Sequence, residues 1–151
     1  GEDARAVLQD RGVAEGLLQH APKQGFRTDR SPAYLAWRTA LGPLHYRVLP
    51  VSKRDWAEGG LVFRLRRRGK ALEAVVIEQF VPDWRSGAGL LARLLRATGA
   101  DYAIGLRTGP SAGLLPMPMP GFGPLLTTRP LAGSPPDPSA WASTMGDIEL
   151  F

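Results

Sequence analysis

The sequence predicts a mixed α/β domain, of the α+β kind, with a mostly antiparallel central sheet flanked by helices. Three observations carry this. Two apolar runs, Leu61 to Arg68 and Leu72 to Val81, are separated by little more than Gly69-Lys70, the spacing of a tight hairpin. The second run leads within a few residues into Leu90, Leu91, Leu94 and Leu95, a stripe of helical period. Asp101 to Leu106 then returns as a short strand, so the stretch from Leu72 to Leu106 reads as one parallel crossover unit.

Taken in order, Glu2 to Gln19 carries Ala6, Val7, Val13, Leu17 and Leu18 among charges, broken by Gly12 and Gly16. Residues 1–30 therefore read as a linker or broken helix, and 31–151 as the domain proper. Ser31-Pro32 is a helix start, Ser as N-cap and Pro in the first turn. Tyr34, Trp37 and Leu41 follow at helical spacing, which assigns Trp37 to the core. Gly42-Pro43 ends that helix and Tyr46 to Val51 is a strand. In Leu61 to Arg68, Leu61, Phe63 and Leu65 point one way, and Val62, Arg64, Arg66 and Arg68 the other. The centre of the next strand, Val75-Val76-Ile77, is apolar on both faces and so belongs inside the sheet. The following helix is read from Ala88 to Ala97, with Arg93 and Arg96 opposite the leucines and Gly99 as its stop. Arg107 to Gly123, with its Met-Pro repeat at 116–120, reads as a surface loop. Strands are expected at Leu125 to Leu131 and at Trp141 to Phe151.

Composition narrows the function. With 44% hydrophobic and 22% charged residues, the 151-residue chain has the balance of a folded domain. It has no cysteine, which excludes a disulfide framework, a thiolate metal site and a catalytic cysteine. His20 and His45 lack metal-ligand spacing, so no metal is expected. No apolar run is long enough to span a bilayer, so no membrane partner is expected, and the start is unlike a secretory signal. Cytoplasmic residence is the expectation. The absence of an initiating methionine suggests an excised segment. The net charge of +5 is carried mainly by arginine, and the row Arg64, Arg66, Arg68 could face phosphates. No aromatic platform is interleaved with it, however, so nucleic acid is disfavoured as a partner.

The segment with chemical content runs from Val75 through Glu78 and Val81 to Pro82-Asp83-Trp84-Arg85-Ser86-Gly87-Ala88-Gly89-Leu90-Leu91. A buried strand entering a glycine-bearing turn before a helix leaves backbone N–H groups free at the positive helix end. Such a turn admits an anion, and Arg85 adds a charge-assisted contact. The plainer reading is a compact strand-to-helix connection with Arg85 in solvent.

The Pro-x-x-Arg-x-Gly-x-Gly run resembles the signature of the GNAT superfamily of acyl-CoA-dependent acyltransferases, with one residue fewer between arginine and glycines. Tyr34-Leu35-Ala36-Trp37-Arg38, Tyr46-Arg47-Val48-Leu49, Gly99-Ala100-Asp101-Tyr102 and the ending Gly146-Asp147-Ile148-Glu149-Leu150-Phe151 are similar to runs in the second halves of two-part bacterial proteins of this kind. The resemblance implies a GNAT-like sheet and acetyl-CoA or another acyl-CoA as cosubstrate. It implies a pyrophosphate site at Val81, Arg85, Ser86, Gly87, Ala88 and Gly89, and a small-molecule or peptide amine as acceptor. Glu78, toward the end of the strand feeding the turn, is the candidate base. With a two-residue hairpin it is expected opposite Leu61, on a face shared with Val76 and Phe63. Tyr102 suits packing better than proton donation. Two further readings stay open: a non-catalytic module packed on an upstream domain or a second copy, and a polyanion-binding module.

Overall fold

The computed structural model describes residues 1–53, 55–106, 133–134, 137 and 140–148. The predicted surface loop, the Met-Pro repeat and the predicted strand Leu125 to Leu131 lie outside them. The described residues form a mixed α/β fold around a five-stranded, mostly antiparallel sheet, in the order β1 (Glu2–Asp3), β2 (Arg47–Pro50), β3 (Gly60–Arg68), β4 (Ala71–Phe80), β5 (Tyr102–Ile104). Every pair is antiparallel except β4–β5.

Helices cover both faces. On one side α1 (Ala4–Leu8), α2 (Arg11–Leu18) and α3 (Pro32–Thr39) bury Leu8, Leu17 and Leu35 against Val48, Val62 and Ile77. On the other, α4 (Trp84–Thr98) buries Leu90 and Leu94 against Leu61, Phe63 and Val76. The alternation of apolar residues on β3 and β4 feeds both cores, as a sheet covered on two faces requires.

Residues 1–30 hold two helices whose apolar sides belong to the first core. Aspartates start them: Asp3 accepts from the Ala6 amide, and Asp10 from those of Gly12 and Val13. Gly12 and Gly16 sit inside α2, where Gly16 lies against the 3-10 turn at Trp56–Glu58.

Helix α3 starts as its sequence predicts, with the Ser31 hydroxyl accepting from the Tyr34 amide. Trp37, however, is 71% exposed, and Leu41 is exposed too. The buried side of α3 is instead Leu35 and Thr39, four residues apart, while Trp37 lies against Tyr34 on the outside, 5.9 Å between centroids. A three-residue count from the aromatics selects the wrong stripe.

The β3–β4 hairpin closes through Gly69-Lys70, with Gly69 at φ +61° and Arg68 paired to Ala71. Between Val62 and Phe63 the register shifts: Phe63 pairs with Val76, but Val62 pairs with Glu78, leaving Ile77 as the extra residue of a bulge. Strand β5 pairs only with Glu73 to Val75, so β4 runs five residues past it, to Phe80. In the described part of the predicted C-terminal strand, Met145–Ile148 form helix α5, preceded by a single parallel bridge from Trp141 to Phe26, while 149–151 lie outside the described residues.

Gly59 has φ +103° and ψ −177°, a region open only to glycine, and a Cβ there would meet the Phe80 carbonyl oxygen. Gly59→Ala is therefore expected to lower unfolding stability by about 1–3 kcal/mol from backbone strain, before any clash is counted. Urea denaturation measures this; an unchanged midpoint would mean the turn relaxes freely.

Candidate functional site

Two places matter: the start of α4, where the sequence suggests an anion cradle, and the far end of β4, where it suggests a base.

Helix α4 begins at Trp84, four residues earlier than its apolar stripe suggests, so Arg85, Ser86, Gly87, Ala88 and Gly89 are all helical. Asp83 is the N-cap. Its Oδ1 accepts from the amides of Arg85 at 2.8 Å and Ser86 at 2.9 Å, while the Ser86 hydroxyl donates to Oδ2 at 3.1 Å. The Gly87 amide donates to the Asp83 carbonyl at 3.2 Å. Two of the amides expected to meet an anion thus already serve a carboxylate of the chain itself, and that of Gly87 is spent on a backbone carbonyl. Those bonds, the Ser86 amide's foremost, hold the Asp83 carboxyl below the usual aspartate range, so it remains ionised.

Each of the other predicted residues has a plain position. The Arg85 guanidinium lies over the Trp84 ring, 5.0 Å from its centroid. Gly87 is buried because α4 presses on β4 there: a Cβ would run into the Gln79 side chain. Gly89 faces open space, and Val81 packs into the second core from the short link between strand and helix.

Glu78 lies elsewhere than expected. The bulge turns it from the α4 face to the side of α3 and α5, opposite Val62 rather than Leu61. There Glu78 Oε1 accepts from Arg30 Nε at 2.9 Å and from the Thr144 hydroxyl at 2.9 Å. Arg30 Nη2 reaches on to Asp147 Oδ2 at 2.7 Å and Thr144 Oγ1 at 2.8 Å, and Nη1 donates to the Thr28 carbonyl. Asp147 also accepts from the Thr28 hydroxyl and the Thr144 amide. The side chains of Arg30 and Glu78 are 2% and 3% exposed and that of Asp147 12%. One buried guanidinium therefore serves two carboxylates.

Their environments separate them. Burial pushes the Glu78 carboxyl above its ordinary range, against the pull of Arg30 and the Thr144 hydroxyl. Burial also opposes the ionised form of Asp147, but the Thr28 hydroxyl, the Thr144 amide and Arg30 outweigh it and hold that carboxyl low. The phenol of Tyr34 is raised, by burial first and then by the two carboxylates.

No family model, curated protein or solved structure matches this chain.

A second buried carboxylate, Glu73, accepts from Arg66 Nε at 2.7 Å and the Tyr102 hydroxyl at 2.9 Å, with Arg68 at 3.8 Å. Arg64 is buried. The basic row of β3 is thus partly neutralised from β4 rather than presented whole to solvent. Among the described residues no group of His, Asp and Glu is arranged to hold a metal, and no helix is long and apolar enough to cross a membrane.

Arg30, Thr28, Thr144 and Asp147 escape sequence reasoning. One signal is present: in Thr144-Met145-Gly146-Asp147, the threonine hydroxyl accepts from the Gly146 amide and the aspartate returns to the Thr144 amide, the reciprocal pattern of a capping box.

Arg30→Ala strands two carboxylates in the protein interior and is expected to cost about 3–5 kcal/mol. Gly89→Ala should do the opposite, adding up to about 1 kcal/mol as a solvent-facing helix position gains a methyl group. Chemical denaturation of both variants checks the pair; a destabilised Gly89→Ala would place that glycine in a turn instead.

Proposed function

We propose that this chain is a GNAT-like module that does not transfer acyl groups by itself and that packs against an upstream domain of the same cytoplasmic polypeptide. The observation that carries this is the Asp83 cap. In the resembled family the helix start takes the pyrophosphate of coenzyme A through unpaired amides; here a fixed negative charge bonds two of them. A pyrophosphate would have to displace that carboxylate against charge repulsion. Arg85, the side chain expected to help it, stacks on Trp84.

Two more features favour the reading. Glu78 is bonded to Arg30 and Thr144 and buried, so no acceptor amine can approach it in this conformation. Helix α3 turns Trp37 outward, and Leu41, just beyond its end, is exposed as well. Trp37 stands in one of the runs that resemble the second halves of two-part proteins.

Acyl transfer from acetyl-CoA or another acyl-CoA to an amine is the second reading. It is favoured by the raised Glu78 carboxyl, a property useful in a general base.

Calorimetric titration with acetyl-CoA separates the two. The module reading expects no binding heat at millimolar ligand. Micromolar binding that Arg85→Glu abolishes would overturn it and establish a working cosubstrate site.

A further inference from the structure

Cross-strand partners share a face of a sheet. Arg66 pairs with Glu73 and Glu73 with Tyr102, so these three side chains form a line across β3, β4 and β5. The line lies just past Val75 and Ile104 of the first core, on the side of the sheet away from α4. Arg68 shares that face, two residues further along β3. Beyond Phe63 no described strand pairs with the outer side of β3, so the arginines run along a sheet edge.

Glu73 is wholly buried beneath this surface. Its Oε1 accepts from Arg66 Nε at 2.7 Å and its Oε2 from the Tyr102 hydroxyl at 2.9 Å, with Arg68 Nη1 at 3.8 Å. The groups it holds stay accessible: the Arg66 side chain is 37% exposed, that of Arg68 59%, and Tyr102 is half-buried. Arg66 spends Nε on the carboxylate, and its Nη nitrogens have no partner among the described residues. One negative charge thus orients two guanidiniums and a phenol and leaves a positive surplus. Arg67 and Lys70 enlarge it at the turn, where both are exposed. Asp101 brings a second carboxylate to this end, but its Oδ2 accepts from the Leu72 amide at 2.7 Å. Neither residues 59–72 nor residues 102–136 contain an Asp or Glu to offset these cations.

Charge that only guards a sheet edge against mispairing needs no buried carboxylate to hold it and no aromatic ring beside it. A guanidinium fixed in direction is instead suited to phosphate, which it meets through paired N–H groups. Along a strand Arg66 and Arg68 are about 7 Å apart, close to the step between consecutive phosphates of an extended nucleic-acid strand. No aromatic is interleaved with the row in the sequence, but the fold brings Tyr102 to it from β5. Proteins that bind single strands combine such a basic track with an aromatic on which a base stacks. A duplex, whose bases are already stacked, would leave the ring unused.

We propose that this end of the sheet binds single-stranded nucleic acid. Arg66 and Arg68 take successive phosphates, Tyr102 takes a base, and Arg67 and Lys70 add attraction from the turn. Glu73 is a positioning residue, touching the guanidiniums and the phenol rather than the strand. The surface is independent of coenzyme A binding, since α4 covers the opposite face.

Fluorescence anisotropy of the full chain with short labelled oligouridylate and oligothymidylate tests this. Binding of either at low salt, tighter than that of a duplex of equal length, is expected, and the tighter of the two names the nucleic acid. Arg68→Ala combined with Lys70→Ala should weaken binding and reduce the slope of log affinity against log salt by about 1.4. Tyr102→Leu should weaken binding about fivefold or more at an unchanged slope, while Tyr102→Phe, which keeps the ring, should retain it. Urea midpoints establish that each variant is folded; if Tyr102→Leu is not, the double variant and the duplex comparison decide. Absence of binding at low salt overturns the proposal, as does a duplex bound as tightly as the single strands. A folded Tyr102→Leu variant or a double variant with wild-type affinity also overturns it. So does equal affinity for polyglutamate, which would make an acidic protein surface the partner.

Discussion

Between the pairs Phe63–Val76 and Val62–Glu78 the two central strands fall out of step by one residue. Strand side chains alternate, so one extra residue sends those beyond it to the opposite face. On β4 the shift sets Glu78 among Arg30, Thr144 and Asp147 and leaves Gln79 facing Gly87 of α4. Without it, Glu78 would lie under α4 among leucines, and Arg30 would lose one of its two carboxylates. The bulge is the condition on which the buried charge, the docking of α5 and the close seat of α4 all depend.

A bulge of this kind is nearly invisible in a sequence. The alternation of β3 reads cleanly because Leu61, Phe63 and Leu65 share one face while the other turns to arginine, and Gly69-Lys70 declares the hairpin. Nothing in Val76-Ile77-Glu78-Gln79 marks Ile77 as the extra residue, since a strand buried on both faces has no polar side to lose. Whether Glu78 faces α4 or α3 is settled by which helix brings a partner for its charge, a tertiary matter. The same holds for Trp37: a helical wheel shows Tyr34, Trp37 and Leu41 on one side, but the small Thr39 beside Leu35 fits the space against α1 and α2 and leaves the large ring outside.

The helix starts make a related point. Glycine is the obvious punctuation of this chain, and several glycines do serve as such, notably Gly59, Gly69 and Gly99, which hold positive φ. Four of the starting signals, however, are aspartates. Asp3, Asp10, Asp55 and Asp83 each accept from amides two or three residues on, and glycines downstream of them, Gly12, Gly16, Gly87 and Gly89, lie within helices. A motif defined by glycine spacing can therefore be present in letters while its loop is absent in space. One carboxylate ahead of the run suffices to draw those residues into the helix and to fill the positive end that the motif would offer.

The strands are adjacent in the order in which they occur along the chain, β1 through β5, with no strand inserted between two earlier ones. Each new strand finds its neighbour already made, which keeps most pairings local and the search for them short. The seat of α5 is different: its bonds run from Phe26, Thr28, Arg30 and Arg38 to residues more than a hundred positions away. On a ribosome the sheet can assemble as it emerges, while Arg30 waits for its last partner until Asp147 has been made.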